Sequence, residues 1–570
     1  MHLKVRGKLP YLIIVCFYAA AVFLVDPRGE FPLNDDWSYT RSAEQFASGG
    51  GMHVDEWAAP SLVGQTLYGS LLIRAFGMKF IVLRLSTIVA SCAIAMGLWF
   101  VLTQLGTGSW VAWLAVLSWL FNPLQINLSF SYMTEIPFLL CVAGAGVLYL
   151  CYLSRRKVWL PAAAGMVLGY GFLIRQTASL FVAALVIAIL LDRTDHLRER
   201  IRAAALAAVC AGLFMAGYYG WLEFQGGATP ATRRKFELLR YLTTEQLAGN
   251  SFGLLLYMAF LLLPLWLALF PAALRLSGKL SRKAAIGCLA GSLAVAGAGV
   301  WWFQWHYGAR PYFPSWAFHG RMPFLLNVLY DTGIGPVTLD PAYFGPSPLP
   351  TYPRIWMIVT ILTALALVMA VLLFSAGLPR RLSVNDRLRP ALAFFALSFV
   401  FIAGFEIVFS HIQEGGLFDR HLIIAAFPLC LAACVVGGTA DSSTRSSLKI
   451  GCRTVALLVL VAGAGFSIGA TRDYLEWNRL RWDLGNAALA AGANPLNISG
   501  GFEFNGWHNY ELFRHRGHVE TVFRWWYDTR DYLISMMPES GYRILRKESF
   551  FSWIHRREVP LYLLQRCGAP

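Results

Sequence analysis

The amino-acid sequence predicts a polytopic α-helical membrane protein carrying a small α/β domain at its C-terminal end. Three observations carry this prediction. Of the 570 residues, 57% are hydrophobic and only 14% charged, with a mean hydropathy of +0.53; soluble domains average about 45–50% and about 25%. Apolar runs of membrane-crossing length recur from Leu9 to Ala470. From Thr471 onward the chain is polar, but Trp477, Trp482, Trp507, Trp525, Trp526 and Trp553 supply enough aromatic surface for a separate core. The net charge of +16 would point to nucleic acid in a soluble protein. Here much of the basic charge lies between apolar runs, where it sets orientation. No nucleic-acid motif is present, and no nucleic-acid partner is expected.

The elements follow in order. Lys4, Arg6 and Lys8 precede the run Leu9–Val25, which reads as an uncleaved first span because no small-x-small cleavage site follows it. Lys and Arg favour the cytoplasm, so this span runs outward and residues 26–79 form the first outer loop. Within that loop Ser42–Gly51 and Pro60–Phe76 read as short interfacial helices, anchored by Trp37, Trp57 and Tyr68. Further spans are expected at Phe80–Thr103, Trp110–Phe121, Ile136–Leu153, Val158–Ile174, Gln176–Leu191, Ile201–Leu222 and Ser251–Leu274. The remainder are Ala284–Phe303, Ile355–Ser375, Ala391–Ser410, Leu422–Val436 and Thr454–Ala470, making thirteen. Trp110–Phe121 is short for a span, but only with it does Arg155-Arg156-Lys157 fall inside. Every inner loop except Gln104–Ser109 is then basic, while Arg233-Arg234-Lys235 stands against the rule in an outer loop.

This parity leaves the C-terminus outside. The expected division is a membrane domain over 1–470 and a soluble extracytoplasmic (periplasmic) domain over 471–570, in the inner, or plasma, membrane. In the second domain Leu480–Ala491 reads as a helix, and Leu496–Phe504 and Tyr542–Trp553 as strands. A second long outer segment, 304–354, is rich in Pro, Gly and aromatic residues. Long connections of this kind are usually functional or disordered. The ten cysteines form no disulfide framework, and no Cys/His spacing fits zinc.

Polar candidates for chemistry gather at the outer ends of spans. Asp35 and Asp36 follow the first span at once, and an acidic pair beside a bilayer must be solvated, paired or used. Glu135 stands in Ser131-Tyr-Met-Thr-Glu-Ile-Pro137 and Arg175 in Gly171-Phe-Leu-Ile-Arg-Gln176. Glu414, Asp419, Arg420 and His421 stand in Glu414-Gly-Gly-Leu-Phe-Asp-Arg-His421. Each has a plainer alternative: Arg175 as a snorkelling residue, Glu135 as an acid favoured at a helix N-terminus, and His306, His319 and His411 as interfacial polar groups. Together they suit an acceptor hydroxyl or amine, activated by a carboxylate, that attacks a sugar leaving a lipid phosphate held by arginine.

The motif Asp35-Asp-Trp-Ser-Tyr39 resembles the acidic pair followed by Tyr in the first outer loop of GT-C glycosyltransferases, nearest to protein O-mannosyltransferases and the lipid A aminoarabinose transferase. Other pieces agree in order: Pro60 to Gly77 with the family's Pro-Leu juxtamembrane helix, Leu83-Arg84-Leu85 with its Ala-Arg-Leu, and Glu135 with its second acid. Arg175 matches its Lys/Arg at an outer turn, and Arg420-His-Leu to Phe427-Pro428 its Arg-Tyr stretch. The resemblance spans about residues 10–440. It implies a polyprenyl-phosphate-linked sugar donor, an unknown acceptor (lipid, glycan or protein) and inversion at the sugar. It also implies Asp35 as catalytic base, with Asp36 and Glu135 assisting. Arg84, Arg175, Arg420 and His421 are then the expected donor-phosphate ligands. No cofactor is expected, a divalent metal being possible but not favoured. The chain departs from the family at Asp36 (commonly Glu), at Ala58-Ala59 (where a Lys is missing) and at His421 (Tyr). The rival classes are a carrier or flippase of lipid-linked sugars and a non-catalytic scaffold.

Overall fold

The computed structural model describes residues 7–278, 328–330, 332–335, 349–350, 352–384, 388–410, 417–438, 446–516 and 525–568, with isolated positions between 283 and 301. Among these residues seven helices are long and apolar enough to cross a membrane, or nine if each of two bent pairs counts as one span. Leu9–Val25, Trp159–Ile174 and Ala178–Leu190 are shorter apolar helices. The expected run Leu9–Val25 is a helix with those bounds, and Phe80–Gln104, Glu135–Arg155, Leu197–Phe224, Arg389–Phe409 and Leu422–Gly437 lie within a few residues of expectation, while Pro353–Val384 runs well past the expected end at Ser375. The expected ninth span, Ala284–Phe303, falls mostly outside the described residues.

Two spans depart from the straight form, each at proline. The expected Ser251–Leu274 is two helices, Thr244–Leu261 and Leu263–Ser277, bent by 86°. Pro264 enforces the corner: it has no N–H to give, and its ring displaces the carbonyl one turn back. Trp266 stitches across it, its indole N–H donating to Met258 O at 3.2 Å. The short third span, Ser109–Leu120, continues after a 54° bend as Pro123–Ser129. Asn122 caps that second piece by accepting from Leu124 N at 3.0 Å, so the span reaches farther than its apolar run. Arg233-Arg234-Lys235 lies on a separate polar helix, Pro230–Leu238.

The expected last span and the helix Leu480–Ala491 form one continuous helix, Ser446–Ala490, of 45 residues. At 1.5 Å per residue it is about 68 Å long, roughly twice the hydrocarbon core. It therefore serves as span and stalk together, and the expected boundary at residue 470 lies inside it. The segment 304–354 contributes a small hairpin, β1 (Leu329–Tyr330) with β2 (Gly333–Ile334). The C-terminal domain holds β3 (Ile498–Ser499), β4 (Tyr532–Ser535), β5 (Tyr542–Ser552) and β6 (Arg557–Arg566), in the order β3-β4-β6-β5. β3 pairs parallel with β4, and the other pairs are antiparallel. The expected strand Leu496–Phe504 shrinks to β3. Gly501, at φ +95°, ends it and turns the chain into the helix Phe502–His515, since only glycine takes that backbone freely.

That helix docks on the loop over residues 26–79. Trp37, Leu496, Phe502, Tyr510, Phe513 and Trp526 form an apolar cluster distinct from the core of the bundle. Gly506 permits the contact, because a Cβ there would stand 2.7 Å from the Trp37 ring. Arg41 donates to Trp507 O at 2.7 Å. Beneath the helix Arg481 and Glu503, both fully buried, pair at 2.8 Å, and the other Glu503 oxygen accepts from Asn34 N at 3.1 Å. The domain thus grips the loop one residue before Asp35.

Candidate active site

The two adjacent acids have opposite surroundings. Asp36 is the first residue of the helix Asp36–Ala47 and Asp35 its N-cap, so the expected helix Ser42–Gly51 begins a turn and a half earlier. Neighbours at a helix start point about 100° apart. Asp36 points inward, where its carboxylate accepts from Leu33 N at 2.5 Å and Tyr132 N at 3.0 Å. Burial pushes its pKa up to about 8, against the pull of those two N–H groups and of Arg84. Asp36 therefore ties the loop to the bundle. Asn34 accepts the left-handed conformation, φ +58°, that allows the turn; asparagine tolerates it better than most residues.

Asp35 faces the cluster of charges. Its Oδ2 pairs with Arg420 Nη2 at 2.7 Å, and its Oδ1 accepts from the Trp57 indole N–H at 3.0 Å. Asp55 steadies Trp57, accepting from its backbone N–H and from the Ser38 hydroxyl, both at 3.0 Å. Trp57 also packs on the C-terminal domain, with ring centroids 5.0 Å from Trp526 and 5.8 Å from Phe502.

Glu135 begins the span Glu135–Arg155 and collects the remaining cations. Arg175, at the turn after Trp159–Ile174, donates to Glu135 Oε1 at 2.8 Å and to the Thr134 hydroxyl at 2.9 Å. Arg420 Nε lies 3.7 Å from the same oxygen and His421 Nε2 3.8 Å. On its other side His421 Nδ1 lies 3.5 Å from Glu406. Arg420 is 7% exposed, yet among the described residues its Nε and Nη1 have no hydrogen-bond partner, and neither has Glu135 Oε2. Buried groups of this kind are normally satisfied. Two arginines face three carboxylates and one histidine, so an anion would be drawn by these open donors and not by a net positive field. Tyr39 lies alongside; burial, and then the Asp35 charge, hold its hydroxyl well above the usual tyrosine range.

The expected residues are thus sorted. Asp35, Glu135, Arg175, Arg420 and His421 come together, though far apart in sequence. Arg84 does not join them: its guanidinium donates to the carbonyls of Pro27 at 2.5 Å, Gly29 at 3.2 Å and Phe31 at 2.8 Å. It braces the acidic loop from behind. Asp419 is turned away, accepting the backbone N–H groups of Val328 and Leu329. Glu414, His306, His319 and His411 lie outside the described residues. Sequence reasoning missed Trp57, Thr134 and Glu406. Glu406 carried a readable signal, being the sole acid in Arg389–Phe409 and so an ionisable group within a span. No set of three or more His, Cys, Asp or Glu side chains suited to a metal ion lies among the described residues.

Residues 67–219 match the family model of dolichyl-phosphate-mannose-protein mannosyltransferases, and the resemblance to GT-C enzymes holds over that segment. It contains Glu135 and Arg175 but neither Asp35 nor Arg420. No curated protein sequence matches the chain. Among solved structures the chain is similar to ArnT from Cupriavidus metallidurans bound to undecaprenyl phosphate, at 12% identity and a TM-score of 0.37, covering 76% of this chain and 78% of that one. It is also similar to the oligosaccharyltransferase AglB from Archaeoglobus fulgidus in complex with an inhibitory peptide and a dolichol-phosphate, at 13% identity and 0.41, covering 82% and 56%. A third is the arabinosyltransferase EmbB from Mycobacterium smegmatis, at 14% and 0.35, covering 86% and 44%. At scores this low, the chemistry of the site rests on its own geometry.

Proposed function

We propose that this chain is a membrane glycosyltransferase that moves a sugar from a polyprenyl-phosphate donor to an acceptor hydroxyl or amine on the extracytoplasmic face, with inversion. One observation carries the reading: Asp35, Glu135, Arg175 and Arg420 converge at one end of the bundle, with two guanidinium nitrogens of Arg420 left open. The family model matched over residues 67–219 supports it.

The chemistry follows from the placement. Asp35 takes the proton of the acceptor hydroxyl as that oxygen bonds to the anomeric carbon, on the face opposite the phosphate. The bond from that carbon to the phosphate oxygen breaks, and its electron pair leaves with the phosphate. A positioned base of this kind contributes about 10²–10⁴-fold. Charge grows on the leaving oxygen as the bond breaks, and Arg420 stands where it can meet that charge. Glu135 orients Arg175, Arg420 and His421 without touching the sugar. Trp57 and Arg420 together fix the Asp35 carboxylate. Arginine, not a divalent ion, neutralises most of the leaving charge in this scheme.

A carrier of lipid-linked sugars fits less well. Its charged groups belong at mid-membrane beside broken helices, whereas Asp35 lies past the end of the first span and Glu135 opens another.

Mass spectrometry of lipids, glycans and proteins from cells with the wild-type chain, with Asp35→Asn and without the gene tests the reading. A glycosylated product present only with the wild type, while the donor accumulates in the other two, is expected. Identical product in Asp35→Asn cells would refute Asp35 as base, and no glycan difference among the three would refute the activity. Reporter fusions at Pro570 should be active only outside the cytoplasm.

A further inference from the structure

Residues 328–335 of the long loop and the C-terminal domain meet directly behind this site. Val328 N donates to both oxygens of Asp419 at 3.1 Å and Leu329 N to one at 2.7 Å. Asp419 is fully buried and opens the single 3₁₀ turn Asp419–His421, which aims Arg420 and His421. The hairpin supplying those N–H groups is held from its other side. His555 Nε2 lies 2.7 Å from Thr332 O. A carbonyl only accepts, so that nitrogen carries the proton. The Tyr352 ring stacks on the imidazole at 5.7 Å and 17°. His555 is itself fixed to the stalk: Asp473 accepts from the Ser552 hydroxyl at 2.5 Å, Trp553 N at 2.8 Å and Ile554 N at 3.1 Å.

We propose that the C-terminal domain sets the position of Arg420 through this hairpin, with His555 as a positioning residue for the lipid phosphate that it never touches. The inference rests on Arg420 as the phosphate ligand proposed above. The physical ground is the weakness of the hairpin. Two strands of two residues each cannot hold themselves. Gly335 N to Val328 O at 3.0 Å closes the pair, and among the described residues it leans on His555 and, through Gly333–Ile334, on the stalk helix Ser446–Ala490. Without the His555 donor, Thr332 O loses that bond and the hairpin relaxes. Asp419 then loses the fixed N–H groups that set its turn. The arginine head keeps its two carboxylates but no longer presents Nε and Nη1 at a fixed place, so an incoming phosphate must order them at its own cost.

The test uses the full chain in lipid nanodiscs with undecaprenyl phosphate as probe, binding being read by native mass spectrometry and the thermal midpoint measured on the same samples. Variants are His555→Ala, His555→Gln, Asp419→Asn, the double variant His555→Ala/Asp419→Asn, and Arg546→Ala as an exposed control in the same domain. Wild type and Arg546→Ala should bind alike. His555→Ala should bind about fivefold more weakly, the size of one lost hydrogen bond. His555→Gln, which keeps a donor, should recover part of the loss. The double variant should be no weaker than Asp419→Asn alone, because both act through one turn. Wild-type affinity in His555→Ala, or additive losses in the double variant, would overturn the inference while leaving Arg420 as ligand. Losses that follow the thermal midpoint across the set would reduce His555 to a merely stabilising residue and overturn it too. A wild type that binds no undecaprenyl phosphate would instead remove the proposed function, and this inference with it.

Discussion

Replacing Arg420 tests the site most directly, because this one side chain reaches both central carboxylates: Asp35 at 2.7 Å and Glu135 at 3.7 Å. In Arg420→Ala, Glu135 keeps Arg175 at 2.8 Å, so the electrostatic loss falls on Asp35. Breaking a buried pair costs about 3–5 kcal/mol when the orphan stays dry. The Asp35 side chain is 15% exposed and recruits water, so the stability loss should lie below that range. Phosphate binding should suffer separately. Arg420 offers two open donors, and one charge-assisted bond is worth about 1.5–3 kcal/mol, or roughly 10- to 150-fold in affinity. Arg420→Lys keeps the charge but not the fork, and should recover only part of this. Arg175→Ala should cost less binding, since the Nη1 of Arg175 already serves Glu135 and Thr134. The assay is undecaprenyl-phosphate binding to purified protein, with and without chelator. Unchanged affinity in Arg420→Ala, together with loss on chelation restored by a divalent ion, would show a metal site where an arginine site is read.

Three further outcomes follow from the packing around Asp35. Asp36 has a folded-state pKa raised to about 8 by burial, so its favourable share of stability is complete below the unfolded value near 4 and is lost as pH climbs toward the folded one; thermal midpoints scanned upward from about pH 5 should decline, with less slope in Asp36→Asn, and equal slopes would refute the assignment. Arg481→Met leaves Glu503 charged and fully buried and should cost about 3–5 kcal/mol in thermal or denaturant unfolding, whereas adding Glu503→Leu should return much of it; a single variant as stable as wild type would contradict the pair's burial. Gly506→Ala drives a methyl against Trp37 and should loosen the C-terminal domain from the first loop, seen as faster proteolysis of the domain; unchanged protection would mean that the two surfaces separate without consequence.

The apolar runs alone locate most of the helices, because a span must satisfy its backbone internally and its length is set by the bilayer. The same runs place Asp35, Glu135, Arg175 and Arg420 at one level, which is why residues 385 positions apart can be matched before their contact is seen. The two bent spans were less legible. Pro264 and Pro123 were visible, but a proline inside an apolar run is compatible with a straight, a kinked or a broken helix, and neighbouring helices decide among them.

Local sequence also could not say which of two adjacent aspartates meets Arg420. That depends on where the helix Asp36–Ala47 begins, and its start is fixed by Asp36 capturing the N–H of Tyr132, a residue 96 positions away. Arg84 looked like a phosphate ligand by its motif and was diverted to three carbonyls of the folded loop. Trp57 read as a membrane anchor, yet in the fold it packs on Phe502 and Trp526 and gives its indole N–H to Asp35. The sequence by itself determined the membrane class, the position of most apolar helices and the supply of charged groups, because hydrophobicity and length act along the chain. The tertiary structure alone decided which charges meet, which are consumed as braces, and how the C-terminal domain grips the loop, because pairing a buried charge is a property of what lies across the gap and not of its neighbours in sequence.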